Sequence, residues 1–269
     1  MLNRCPACST DSMPESTDSK QTFDHVVAFI DILGSSQILK SGDEKAISDY
    51  LEGIEGMYLH SRDVTEEVKM FSDNILIFSQ GSTEEDVQSV ISSVAQIQWA
   101  VMKDFNLFIR GGVVIGRLDK IPEESTDYII GRAIVEAHEL ESTKAVYPRV
   151  LVDSEIARIC SGPNSIIKDD WDCPFIDYLQ VSMEEGFVSD GLEEYRQSLI
   201  MHIENNNRMK GCKSYEWDRI RDKDVWALSY FNDFCERNGC EESIIDFREY
   251  YDIPESRIAI RIEDREEVD

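Results

Sequence analysis

An uninterrupted apolar run opens the first region of the chain with a clear structural pattern. Val26 to Ile30 reads VVAFI, and a continuous run of this kind is typical of a strand buried on both faces. The run ends at Asp31, and the sequence Gly34-Ser35-Ser36 follows shortly after. The pattern therefore predicts a buried strand that carries a carboxylate at its end and continues into a polar turn.

Helical and strand-like spacings alternate over the next 120 or so residues. Apolar positions three and four residues apart predict helices over residues 35–60 and 83–103, and from 132 to about 145. Short apolar runs predict strands at 68–71, 75–78, 105–118, 127–131 and 149–152. The two runs that flank Ser72-Asp73-Asn74 predict a β-hairpin with a carboxylate at its tip. This order predicts an α/β fold, a ferredoxin-like sandwich, over residues 23–152.

The predicted strand at 105–118 contains two adjacent glycines. Gly111-Gly112 interrupts this strand, which indicates a place where another backbone comes close.

No linker rich in Pro, Gly or Ser follows residue 152, so residues 153–269 are expected to form a mostly helical extension of the same body. Its long helices are predicted at 190–208 and 213–238, and the aromatic residues of the second helix are expected in the core.

Composition narrows the classes of partner. The chain has 269 residues, with 54 acidic and 27 basic side chains and a net charge of −27, which argues against nucleic acid or an anionic membrane as a partner. No apolar run has the length of a membrane span and the start lacks a signal-peptide pattern, so a soluble, cytoplasmic protein is expected. Residues 1–22 are predicted to be a disordered leader, in which Cys5 and Cys8 lack the further ligands of a zinc site.

The two carboxylates form the main candidate for chemistry. In a ferredoxin-like sheet the first strand is central and a neighbouring hairpin lies beside it, so Asp31 and Asp73 could share a divalent ion. Taken singly, Asp31 could be a capping residue in an ordinary turn and Asp73 an ordinary hairpin tip. Their joint placement favours the metal-site hypothesis.

Four segments together resemble a known family. The order FIDILG, KMFSDN, FIRGGVVIG and DYIIGRAIVEAHELE is similar to the class III nucleotidyl cyclase domain, and the resemblance covers residues 23–152. With a helical C-terminal region that contains DKDVWALSYFND, the chain looks most like the Pycsar pyrimidine (uridylate or cytidylate) cyclases of bacterial anti-phage defence. The resemblance implies a homodimer that converts UTP or CTP to 3′,5′-cyclic UMP or cyclic CMP and pyrophosphate. The product would act on a separate effector protein.

The resemblance also implies the roles of individual residues. Asp31, Asp73 and the backbone carbonyl of Ile32 would hold two Mg²⁺ or Mn²⁺ ions. One ion would activate the ribose 3′-hydroxyl, and the other would neutralise the phosphates and the leaving group. The backbone amides of Leu33, Gly34, Ser35 and Ser36 would bind the triphosphate.

Departures from the family pattern concern the base and the transition state. Lys69 matches the base-contacting lysine, whereas Tyr128 stands where purine cyclases have a small polar or acidic residue, which suits a smaller base. Lys69 could instead be a solvent-facing strand residue, and Tyr128 an aromatic residue packed on the sheet. These two positions favour a pyrimidine, with an adenylate or guanylate cyclase as the alternative.

The transition-state positions on the predicted late helix differ more strongly. Val135 and Glu139 replace the asparagine and arginine of purine cyclases, and a glutamate cannot stabilise negative charge on phosphorus. A cation is therefore expected from elsewhere, with Arg132 as first candidate, followed by Arg110 and Arg117. Each of these arginines could instead form a structural ion pair. The mismatch is also the main argument for a second alternative, a catalytically silent cyclase-like module that binds a nucleotide.

Overall fold

The computed structural model describes residues 24–42, 44–61, 67–123, 126–160, 165–168, 173–184, 186, 191–208 and 214–251. The predicted leader with Cys5 and Cys8 lies outside these ranges. Within them the strands are β1 (Asp24–Ile32), β2 (Glu67–Phe71), β3 (Asn74–Phe78), β4 (Ile109–Arg117), β5 (Asp119–Glu123), β6 (Thr126–Ile130), β7 (Val150–Val152), β8 (Ile166–Lys168) and β9 (Pro174–Ile176). The α-helices are α1 (Ser35–Ser41), α2 (Glu44–Ser61), α3 (Glu84–Phe105), α4 (Arg132–Lys144), α5 (Ser154–Ile159), α6 (Tyr178–Glu184), α7 (Leu192–Arg208) and α8 (Ser214–Arg237).

The main sheet has seven strands in the order β2-β3-β1-β4-β7-β9-β8. β1 is antiparallel to both β3 and β4, and β2 is antiparallel to β3. Helices α1 and α2 connect β1 to β2, and α3 connects β3 to β4. This is the βαββαβ arrangement of a ferredoxin-like unit, so the predicted α/β class is confirmed.

The burial of β1 on both faces explains its apolar sequence. Its even-numbered residues 26–32 belong to the large core shared with α2 and α3. Val27 and Phe29 lie on the other face, in a smaller core with Ala133 and Ala137 of α4. Because side chains alternate along a strand, Asp31 lies on the same face as Phe29, toward α4.

Predicted close packing occurs at the double glycine of β4. A Cβ atom built at Gly112 would lie 2.4 Å from the carbonyl oxygen of Ala137, so only a glycine lets α4 approach β4 this closely. The predicted hairpin is also present, with Ser72 and Asp73 as its two-residue turn and Ser72 at φ 57°.

The structure differs from the sequence-based expectation at several elements. The single helix predicted over 35–60 is divided into α1 and α2, because Gly42 at φ 70° ends α1 in the left-handed region. β5 was not predicted; it pairs with β6 in a separate two-stranded sheet, and its sequence DKIPE lacks apolar alternation. β8 and β9 were not predicted either; each has three residues and is defined by its pairing with a neighbouring strand.

The extension continues the sheet and the core. β9 pairs with β7, and β8 pairs with β9, so strands of the extension complete the edge of the main sheet. Trp99 of α3 stacks on Tyr195 of α7 with ring centroids 4.9 Å apart. Four of the aromatic residues predicted for the core of α8 are buried, Trp226, Tyr230, Phe231 and Phe234, and Trp217 is partly buried against the same core. No helix in the described ranges is long and apolar enough to cross a membrane.

Candidate active site

Asp31 lies at the end of β1, opposite Asn74 of β3 and Arg110 of β4. Its side chain is 18% exposed, and its Oδ2 accepts hydrogen bonds from Nη2 of Arg110 at 3.2 Å and from Nε at 3.4 Å. Burial raises the pKa of Asp31; Arg110 acts to lower it, and the nearby charge of Asp73 raises it further. The carboxylate is therefore incompletely neutralised, which favours a further cation beside it.

Asp73 lies in the turn between β2 and β3 and is surrounded by hydroxyl groups. Its carboxylate accepts hydrogen bonds from the side chains of Ser35, Ser72 and Tyr50. Burial acts to raise the pKa of Asp73, but these hydrogen bonds outweigh it, and the pKa lies below its usual value. Asp73 is thus held as an anion next to Asp31.

Two of the predicted phosphate-binding residues in the turn after β1 form hydrogen bonds with other parts of the fold. The Leu33 amide donates to the carbonyl of Phe108 at 2.8 Å, so it fixes β1 to the segment before β4 and is not available to a phosphate in this arrangement. Gly34 adopts φ 91° and precedes α1. Ser35 contributes its hydroxyl to Asp73, and Ser36 is exposed. The amide set that remains for a triphosphate begins at Gly34.

The donor set fits a hard divalent cation. Asp31 and Asp73 lie close enough for the charge of Asp73 to raise the pKa of Asp31. Ile32 has a hydrocarbon side chain, so its backbone carbonyl is the group that could serve as a ligand. The described residues contain no group of three or more His, Cys, Asp or Glu side chains that could hold a metal. Two carboxylates supply hard oxygen ligands, and Mg²⁺ prefers such ligands together with phosphate and water oxygens.

The predicted cations fall into different places. Arg110 contacts Asp31, as described above. Arg132 begins α4, is 82% exposed and pairs with Glu136 through Nε at 2.6 Å, whereas Arg117 pairs with Asp119 at 2.8 Å. Within the part of one chain that the structure describes, the contacts therefore join Arg110, and not Arg132 or Arg117, to Asp31.

The base-reading positions lie on separate sheets. Lys69 is a partly buried residue of β2, opposite Leu76 of β3. Tyr128 is on β6, opposite Ile121 of β5, and its side chain lies outside the described part of the structure. The strand pairing of one chain does not bring these two positions together.

Glu141 is a site residue that the sequence analysis missed. Its side chain is 3% exposed, and its Oε1 lies 2.7 Å from Nη2 of Arg110. Burial raises the pKa of Glu141, Arg110 acts to lower it, and the charge of Asp31 raises it again. Glu141 follows Ala133 and Ala137 in steps of four, so a charged residue on the buried stripe of α4 was the available signal.

Tyr50 and Lys223 are two further residues that could not be found from spacing. Tyr50 is 2% exposed and hydrogen-bonded to Asp73, and burial together with the Asp73 charge raises its pKa to about 12. Burial lowers the pKa of Lys223, and the positive charge of Arg110 lowers it further, whereas Asp31 acts to raise it. Helix α8 of the extension thus places a lysine within electrostatic reach of the site.

Comparison with known proteins gives matches among solved structures alone. The sequence matches no family model, and no curated protein is significantly similar to it. The adenylyl cyclase CyaB from P. aeruginosa is 19% identical, with a TM-score of 0.47 over 56% of this chain and 86% of that chain. The guanylyl cyclase Cya2 is 14% identical, with a TM-score of 0.44 over 58% of this chain and 90% of that chain. The guanylate cyclase domain of RhGC from Catenaria anguillulae, in complex with GTP, is 13% identical, with a TM-score of 0.44 over 57% of this chain and 93% of that chain. At these identities and TM-scores the similarities carry no argument about activity.

Proposed function

We propose that the protein is a metal-dependent pyrimidine nucleotide cyclase, which converts UTP or CTP to the 3′,5′-cyclic monophosphate and pyrophosphate. The observation that carries this proposal is the placement of Asp31 and Asp73 side by side, at the end of the first strand and in the adjacent hairpin of a ferredoxin-like sheet. The segments that resemble class III nucleotidyl cyclases lie at these same places.

Each carboxylate has an environment suited to holding Mg²⁺ or Mn²⁺. Hydrogen bonds lower the pKa of Asp73 and so keep its carboxylate ionised. Burial raises the pKa of Asp31, so a nearby cation would stabilise the charged form of this carboxylate. When bound, such ions activate a hydroxyl nucleophile and neutralise phosphate charge. The net charge of −27 would otherwise oppose a triphosphate, so the local cations decide whether the substrate binds. The amides of Gly34, Ser35 and Ser36 would bind its phosphates.

A homodimer completes the proposed site. Lys69 and Tyr128 would read the base, and Arg132 would stabilise the developing charge on phosphorus from the partner subunit. The exposure of Arg132 supports this arrangement, because a residue that projects from α4 can reach a second copy of the chain. The small base is proposed from Tyr128, and the product would signal to a separate effector protein in anti-phage defence.

The test is turnover by Asp31→Asn and Asp73→Asn with Mn²⁺ and each of the four nucleoside triphosphates. We expect the wild-type protein to form a cyclic nucleotide and each variant to lose about 100-fold or more, the scale for removing a group that stabilises transition-state charge. Asp49→Asn makes the same change on the exposed side of α2 and is expected to retain wild-type turnover. Turnover that survives both active-site substitutions would refute the metal site, and a wild-type protein without turnover would favour a silent nucleotide-binding module.

A further inference from the structure

Arg110 is shared by two carboxylates, and both of them contact its Nη2. Its Nη2 lies 3.2 Å from Oδ2 of Asp31 and 2.7 Å from Oε1 of Glu141. Its Nη1 donates to the carbonyl of Ala145 at 3.3 Å, at the end of α4. The guanidinium thus lies between the proposed metal ligand on β1 and a buried acid on α4.

The balance of charge in this contact is unequal. Two carboxylates contact one guanidinium, and Glu141 is almost completely buried. A buried charge that loses its partner is strongly destabilised, so Arg110 cannot leave both acids at once without cost. It can leave Asp31 and stay with Glu141, because the shorter contact is already formed there.

We propose that Glu141 is a positioning residue for metal binding: it holds Arg110 when a divalent cation takes Asp31. This inference rests on the proposed function, since it concerns the same carboxylate. Before a cation binds, Arg110 neutralises Asp31 and competes for its oxygen. A divalent cation repels the guanidinium, and Glu141 accepts it. Without the negative charge of Glu141, the charged partner left in contact with Arg110 is Asp31, and a metal has to displace it.

The experiment measures Mn²⁺ binding to the full chain without nucleotide, from the electron paramagnetic resonance signal of free Mn²⁺. Glu141→Gln is expected to raise the Kd about 10-fold or more, the range for residues that orient metal ligands without contacting the metal. Glu85→Gln removes the same charge from an exposed position of α3 and is expected to stay within about twofold of wild type. Equal Kd values for Glu141→Gln and wild type would overturn the inference.

A double-mutant cycle with Arg110→Gln separates positioning from simple charge. If Glu141 acts through Arg110, adding Glu141→Gln to Arg110→Gln changes the Kd by less than about twofold. If Glu141→Gln raises the Kd in the Arg110→Gln variant as much as it does in wild type, Glu141 acts by its charge alone, and the inference is overturned. Arg110→Gln by itself is expected to bind Mn²⁺ more tightly than wild type. Weaker binding by this variant would also contradict the inference. This second measurement does not depend on whether Glu141→Gln folds.

The same titration distinguishes this inference from the proposed function. Asp31→Asn is expected to abolish Mn²⁺ binding. If binding depends on Asp31 but the cycle shows no coupling between Arg110 and Glu141, the inference alone fails. If the wild-type protein binds no Mn²⁺, the proposed function fails with it.

Discussion

At the scale of single residues, the two aspartates have opposite environments although they are neighbours. The pKa of Asp31 is raised, mainly by burial, and that of Asp73 is lowered by hydroxyl groups that outweigh burial. One carboxylate is thus fixed as an anion, and the other depends on a nearby positive charge. A pair of this kind binds a cation more readily than either acid would alone.

Tyr50→Phe tests the hydroxyl support of Asp73. The change removes one donor to Asp73, so the pKa of Asp73 should rise and its carboxylate should protonate at a higher pH than in wild type. We therefore expect the acid limb of Mn²⁺ binding to move to higher pH and the Kd at neutral pH to rise about 10-fold. Titration of Mn²⁺ from about pH 3 to pH 8 measures both effects, because Asp73 protonates below the usual carboxylate range.

Tyr58→Phe is the matched control for this prediction, because Tyr58 lies on the same helix and is largely exposed. It should bind Mn²⁺ as the wild-type protein does. A Tyr50→Phe variant with an unchanged Kd and acid limb would show that the hydroxyl of Tyr50 does not support the site.

At the scale of elements, the contact between α4 and β4 determines where Glu141 lies. Gly112→Ala would place a Cβ atom 2.4 Å from the carbonyl of Ala137 and 2.8 Å from Cβ of Leu140, so α4 must shift. We expect a loss of about 1–3 kcal/mol in the free energy of unfolding, as in other overpacked cores, measured by urea denaturation. Gly116→Ala, on the same face, meets its nearest atom at 3.2 Å and should be milder. A smaller loss in the free energy of unfolding for Gly112→Ala than for Gly116→Ala would contradict the close contact between α4 and β4 at Gly112.

Elements with strong local patterns could be predicted, and those defined by distant partners could not. β1 and the hairpin follow from apolar runs and turn residues, and their adjacency followed from the ferredoxin-like order. β9 is a strand because it pairs with β7, a partner outside its own short sequence. The split of the first helix depends on Gly42, whose left-handed conformation cannot be read from spacing.

The same distinction holds for the candidate site. Asp31 and Asp73 were found because each stands next to a recognisable strand. Glu141 carried a weaker signal, a charged residue on a buried helical stripe. Tyr50 resembles any core aromatic residue, and Lys223 reaches the site through the tertiary packing of α8, which no local pattern reports.

At the scale of the whole molecule, the extension is built into the domain that carries the site. Nδ1 of His202 on α7 donates a hydrogen bond to the carbonyl oxygen of Asn106 at 2.6 Å, and the ring packs on Phe108 with ring centroids 4.1 Å apart. The carbonyl oxygen of Phe108 also accepts a hydrogen bond from the backbone amide of Leu33, which lies in the turn after β1. These contacts connect the extension physically to the segment that joins Asp31 to α1.

If this chain is the proposed cyclase, it makes a cyclic pyrimidine nucleotide at Asp31 and Asp73. The test incubates the purified chain with Mn²⁺ and UTP, CTP, ATP or GTP separately and identifies the products by mass spectrometry, with Asp31→Asn as the blank. We expect cyclic UMP or cyclic CMP together with pyrophosphate, absent from the blank. Cyclic AMP or cyclic GMP as the sole product would contradict the pyrimidine assignment, and no cyclic product from any triphosphate would contradict the cyclase itself.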